Sequence, residues 1–202
     1  MDLTEKQISY KYEFKGKIVN LRVDDALLPN GTTAKREIVE HNGGVCVAPL
    51  DNEYNLYFVK QFRYPYMEIV TELPAGKLEK GEDPFEAGKR ELKEETGATA
   101  KKYMDLGKLY PTPGYCGEII HMYLATDLEF GEQNPDEDEF LEVYKISLED
   151  AVKMATINPA KSVKMDDKVG SLKEGKFADI VILDKDLNIK YVFVNGKLIH
   201  KA

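Results

Sequence analysis

Glu91, Glu94 and Glu95 are the residues best placed to do chemistry, three carboxylates at i, i+3 and i+4 in the stretch GKLEKGEDPFEAGKRELKEETGA, residues 76–98. On a helix this spacing puts them along one edge, where like charges repel by about 0.2–0.5 kcal/mol per pair. A hard divalent cation relieves that repulsion. Mg²⁺ takes oxygen ligands, keeps several waters and completes its shell with substrate phosphate oxygens. The plain alternative is a solvated acidic face on a chain that is acidic throughout.

The helix that carries this edge announces its own ends. Asp83 is a good N-cap, Pro84 suits the first helical position, and Glu86 stands where a capping-box partner reaches back to the cap. Gly97 is the natural left-handed terminator. Phe85, Gly88 and Leu92 then share a stripe about a quarter turn from the glutamates.

Gly76, Glu82, Arg90, Glu91, Leu92, Glu94, Glu95, Gly97 and Ala98 together fit every defined position of the Nudix box. The stretch thus resembles the pyrophosphohydrolase signature of that family. The resemblance implies glutamates that hold Mg²⁺ against a diphosphate, a glycine that turns the chain into the helix, and the Ala75 carbonyl as a further metal contact. It extends from about Ile8 to Met154 and is similar to the ADP-ribose pyrophosphatase branch. By itself, PTPGYCGE, residues 111–118, is a turn; in that branch it is the loop beyond the box, with Thr112 and Glu118 toward the substrate. Arg63 and Arg36 stand where the branch places arginines, on the diphosphate and beside the adenine, and the guanidinium fork suits phosphate oxygens. The acidic run Asp136-Glu137-Asp138-Glu139 precedes the last core strand as an E-x-E loop does in the branch. The resemblance makes Glu137 the candidate base and Glu139 a metal ligand beside Glu91 and Glu95, with Glu94 and Glu95 in the catalytic edge.

Length and charge fit this reading. At 202 residues the chain suits one substantial domain with an appendage, and a net charge of -8 with a pI of 5.1 argues against nucleic acid or an anionic membrane as partner. The polar start and the lack of a long apolar run lead us to expect a cytoplasmic protein. Cys46 and Cys116 have neither disulfide-scaffold nor C-x-x-C spacing, and His41, His121 and His200 have no ligand spacing.

The expected architecture is α+β, a Nudix fold of mixed sheet with flanking helices. Residues 1–40 read as N-terminal antiparallel strands (8–14, 17–28, 32–40) with a hairpin at Asn30-Gly31, and 41–148 as the hydrolase domain. Residues 149–202 are a helix and small β appendage, with Asn158-Pro159 as a break and Asn195-Gly196 as a type I′ hairpin. SLEDAVKMATINPAKSV, DDKVGSLKEGKFADIVILD and YVFVNGKLI resemble the C-terminal end of amidohydrolases, closest to N-acetylglucosamine-6-phosphate deacetylase. That family's metal ligands precede this piece, so the tail is expected to be catalytically inert.

The expectation is a Mg²⁺-dependent hydrolase, with Mn²⁺ as the alternative ion, acting on ADP-ribose or a related ADP-sugar. A homodimer is implied, with N-terminal strands shaping the adenine pocket. The competing expectation is a sensor that binds ADP-ribose without cleaving it.

Overall fold

The computed structural model describes residues 2–184 and 188–202, and the chain divides into two compact units, residues 1–145 and 146–202. Among the described residues no helix is long and apolar enough to cross a membrane.

The first unit opens with an antiparallel sheet of β1 (Lys6–Lys15), β2 (Asn20–Leu27) and β3 (Thr33–Glu40) in that order. Its second hairpin is not a two-residue turn. The Gly31 N–H donates to the Leu28 carbonyl and the Leu28 N–H to the Thr32 carbonyl, and only Gly31 of the Asn30-Gly31 pair has a positive φ, 84°. Pro29 fixes its own φ in the negative range, which suits an ordinary turn closed by a left-handed glycine.

The site is built on a four-stranded mixed sheet, ordered β7 (Ala75–Lys77), β4 (Gly44–Pro49), β9 (Ile120–Phe130) and β8 (Ala98–Leu109). β4 and β9 run parallel; the other two pairs are antiparallel. Beside it lies a sheet ordered β10 (Glu142–Ser147), β5 (Asn55–Arg63) and β6 (Glu68–Glu72).

Helix α1 (Pro84–Thr96) has the ends its sequence dictates. The Asp83 carboxylate accepts from the N–H groups of Phe85 and Glu86, and Gly97 closes the helix at φ 71°. Glu86 does not complete a capping box; it pairs with Lys89 at 2.7 Å, the neighbour one turn on. The helix lies close to the sheet because Gly88 has no side chain: a β-carbon there would stand 3.2 Å from the Tyr123 ring and 3.4 Å from Val47. Leu92 is fully buried with Val47, Ala98 and Ala125, so the core fixes the rotation of α1 about its axis.

The second unit contains α2 (Leu148–Ala155), capped by the Ser147 hydroxyl, α3 (Ile157–Ser162) and a sheet ordered β11 (Ile180–Leu183), β12 (Ile189–Val194) and β13 (Lys197–Lys201). Asn158-Pro159 does not break the helical run where expected. The break is Thr156 (φ -125°, ψ -84°), and Pro159 falls in the first turn of α3, where its missing N–H is not needed. Asn195 and Gly196, at φ 48° and 73°, form the expected two-residue hairpin.

Candidate functional site

Rotation of α1 about its buried stripe decides what the three glutamates face. Glu91 and Glu95 are 8% and 2% exposed, unusual values for glutamates, and they line one cavity of about 1050 Å³ together with Glu94. Ala75, Gly76, Arg63, Glu72, Glu118, Asp136, Asp138 and Glu139 also line it.

Arg90, whose role the sequence reading left open, binds this edge together. Its Nε and Nη2 reach Glu82 at 3.0 and 3.2 Å, and its Nη1 reaches Glu94 at 2.8 Å and Glu91 at 2.9 Å. Part of the expected repulsion is therefore met by an internal cation. Glu95 is held differently, by the Ala75 N–H, which donates to Oε2 at 2.9 Å. Burial pushes the Glu95 carboxyl up to about 8 against that hydrogen bond, with the charges of Glu91, Glu139 and Glu72 adding to the rise. Burial likewise raises Glu91, opposed by Arg90. The Cys46 thiol, on the same wall, is pushed up to about 11 by burial and by Glu95 and Glu72, which favours the protonated thiol at neutral pH.

Gly76 sits at the centre of this arrangement for a reason other than the expected turn. Its φ is not positive, and the Glu91 carboxyl group occupies the space a β-carbon at position 76 would need.

The cavity gathers Ala75, Glu91, Glu94, Glu95, Glu139, Arg63 and Glu118 from the residues singled out in the sequence. Glu139 closes its own loop, its N–H donating to the Asp136 carbonyl at 2.9 Å. Glu118 lies 3.6 Å from His41 Nδ1, and that nitrogen accepts the Gly43 N–H. Glu137 is exposed and lies outside the cavity lining, which takes Asp136 and Asp138 from the same loop. Arg36 is outside too; on β3 it forks onto Glu5 at 2.7 and 2.9 Å. Thr112 is likewise outside, its carbonyl accepting the N–H groups of Tyr115 and Cys116. Gln61 and Glu72 also line the cavity; neither belongs to a motif that singles it out in the sequence, although Gln61 alternates with Arg63 along β5 and so shares its face.

Among the described residues no three His, Cys, Asp or Glu side chains converge tightly enough to hold a metal ion as they stand. The carboxylates are engaged by Arg90 and the Ala75 N–H. Their chemistry nonetheless fits a hard divalent cation. The donors are all oxygen, they line one cavity, and burial, with the neighbouring carboxylate charges adding to it, holds Glu95 far above an ordinary carboxyl.

Comparison with known proteins agrees with this geometry. The ADP-ribose pyrophosphatase of Bacillus subtilis (strain 168) is 48% identical over 154 residues, 75% of this chain and 83% of that protein. The methanol dehydrogenase activator of Bacillus methanolicus is 45% identical over 150 residues, 73% of this chain and 81% of that one. A crystal structure of an ADP compounds hydrolase is similar in fold, with a TM-score of 0.67 at 22% identity, over 82% of this chain and 92% of its own. Residues 118–199 match the amidohydrolase family, a span that contains β11, β12 and the first three residues of β13. A box complete at every defined position, its glutamates on one cavity wall and these likenesses make the chain a member of the ADP-ribose pyrophosphatase branch of the Nudix hydrolases, with an amidohydrolase-like C-terminal part.

Proposed function

We propose that the protein hydrolyses the diphosphate of ADP-ribose, or of a related ADP-sugar, to AMP and a sugar phosphate in a Mg²⁺-dependent reaction. The observation that carries this is the single cavity in which Glu91, Glu94, Glu95 and Glu139 meet the Arg63 guanidinium. Such a site pairs oxygen donors for a cation with a fork for phosphate oxygens. Glu91, Glu95, Glu139 and the Ala75 carbonyl are the groups to hold Mg²⁺, with Glu94 beside them. When bound, the metal neutralises diphosphate charge and lowers the pKa of water. Water adds to one phosphorus, the bridging P–O bond breaks, and ADP-ribose gives AMP and ribose 5-phosphate. The acidic loop takes the proton released by water. Glu137 is the acceptor the sequence nominates, and Asp138 is the alternative that its place on the cavity wall supports.

We also read the protein as a homodimer, supported by Ile8, Tyr10 and Phe14 of β1, each more than half exposed in the single chain. The C-terminal appendage belongs to this reading as a structural part without catalysis.

The test is incubation with Mg²⁺ and a panel of dinucleotides and nucleotide sugars, with products separated by chromatography. AMP and ribose 5-phosphate from ADP-ribose are expected. Tight binding of ADP-ribose with no turnover would instead establish the sensor.

A further inference from the structure

The cavity contains two arginines, and they are not equivalent. Arg90 is committed to carboxylates, with four of its five N–H groups directed at Glu82, Glu91 and Glu94 through Nε, Nη1 and Nη2. Arg63 meets one carboxylate: its Nε and Nη2 donate to Glu72 at 2.7 and 2.9 Å. A guanidinium has five N–H groups, so this fork leaves a second edge open to another acceptor.

The choice of Glu72 is not the local one. In the β5–β6 ladder Arg63 stands opposite Glu68, while Glu72 stands opposite Val59, four residues back along β5. That offset is roughly 13 Å at the rise of a strand. The Arg63 side chain therefore lies back along the sheet, past the Gln61–Val70 pair, to reach Glu72 where β6 runs into the Leu73-Pro74 entry to the box. An arginine left to solvent on this ladder has Glu68 within easier reach. The fork to Glu72 instead fixes the guanidinium on the cavity wall, where the charges of Glu95 and Glu139 also act on it.

We propose that Glu72 is a positioning residue, which fixes the rotation of the Arg63 guanidinium so that its open edge takes the phosphate oxygens of a nucleoside diphosphate sugar. This rests on the hydrolase reading of the cavity. Glu72 acts through Arg63 and does not bind metal. A bidentate carboxylate sets both the plane and the reach of an arginine, a constraint that a neutral or absent partner relaxes.

Two measurements test it. In steady-state kinetics, Glu72→Gln should raise KM for ADP-ribose about tenfold, change kcat little, and leave the Mg²⁺ concentration for half-activation where it was. Glu72→Gln should add nothing further in an Arg63→Ala background, because the pair acts as one unit. Additive losses, or a shifted Mg²⁺ requirement in Glu72→Gln alone, would overturn the proposal. Calorimetric binding of the uncleavable α,β-methylene analogue of ADP-ribose separates this from the question of turnover. Weaker binding by Glu72→Gln supports the positioning role even if the parent proves not to hydrolyse ADP-ribose, which would remove the hydrolase reading alone. Equal affinity in parent and variant, or a parent that does not bind the analogue, overturns it.

Discussion

The Glu91 carboxyl group fills the space in which a side chain on Gly76 would have to begin, so the opening glycine of the box is required by a glutamate fifteen residues later. The obstructing atoms are the far end of a flexible side chain, so a methyl group there displaces the carboxylate more readily than it unfolds the protein. Gly76→Ala is therefore expected to cut turnover by about ten- to a hundredfold, as when a preorganised electrostatic group is lost. Its melting temperature should fall by only a few degrees, a small stability loss on the scale of such a domain. Thermal melts beside kinetics check this; normal turnover would show that Glu91 need not stand where it does.

Glu95→Gln separates metal chemistry from folding. With Mg²⁺ present, turnover should fall about a hundredfold or more. Without metal the variant should be the more stable protein at high pH. The parent's Glu95 is raised from 4.5 to about 8, so the unfolded chain gives up this proton first and the parent loses stability as pH climbs through that window. The glutamine has no proton to lose. The two should melt alike below pH 4.5 and differ by roughly 2–5 kcal/mol above pH 8. Melts in EDTA across that range decide it, and a parent that equals the variant at pH 8 would refute the burial penalty.

The acidic loop is resolved by three variants. Glu139→Gln should raise the Mg²⁺ needed for half-activation as well as lowering kcat. The acceptor of the water proton should lower kcat with the Mg²⁺ requirement unchanged. Whichever of Glu137→Gln and Asp138→Asn gives the second pattern identifies that residue. Parent-like kinetics in both would place the base outside this loop.

Truncation after Thr156 removes α3 and the β11–β12–β13 sheet, in which Val181, Ile189 and Ile199 are exposed and, among the described residues, no further strand pairs with β11 or β13. Three strands without a second layer are marginal in water. The truncated chain is expected to melt several degrees lower, to dimerise less tightly in sedimentation velocity and to show a higher KM. A truncated protein that matches the parent in all three would make the appendage dispensable.

What the sequence determined by itself was local. Asp83, Pro84 and Gly97 set the ends of α1 through capping and backbone chemistry that acts within a turn, and Asn195-Gly196 set its hairpin in the same way. The i, i+3, i+4 spacing fixed the glutamates to one edge before any packing was known. The tertiary structure decided the rest, because it depends on residues far apart in the chain. Leu92 against Val47, Ala98 and Ala125 turned the carboxylate edge toward the cavity. The β4 ladder drew the short strand β7 out of a stretch too brief to show a period, and so brought Ala75 to Glu95. Arg90 became a clamp only because Glu82 folds back onto it, and Gly76 proved to be making room for Glu91. Arg63 left the acid opposite it for Glu72, while Arg36 and Thr112, equally plausible by position, stayed outside the cavity. Capping and periodicity act over a few residues and can be read from the chain, whereas burial, charge partners and cavity walls are set by which distant segments pack together.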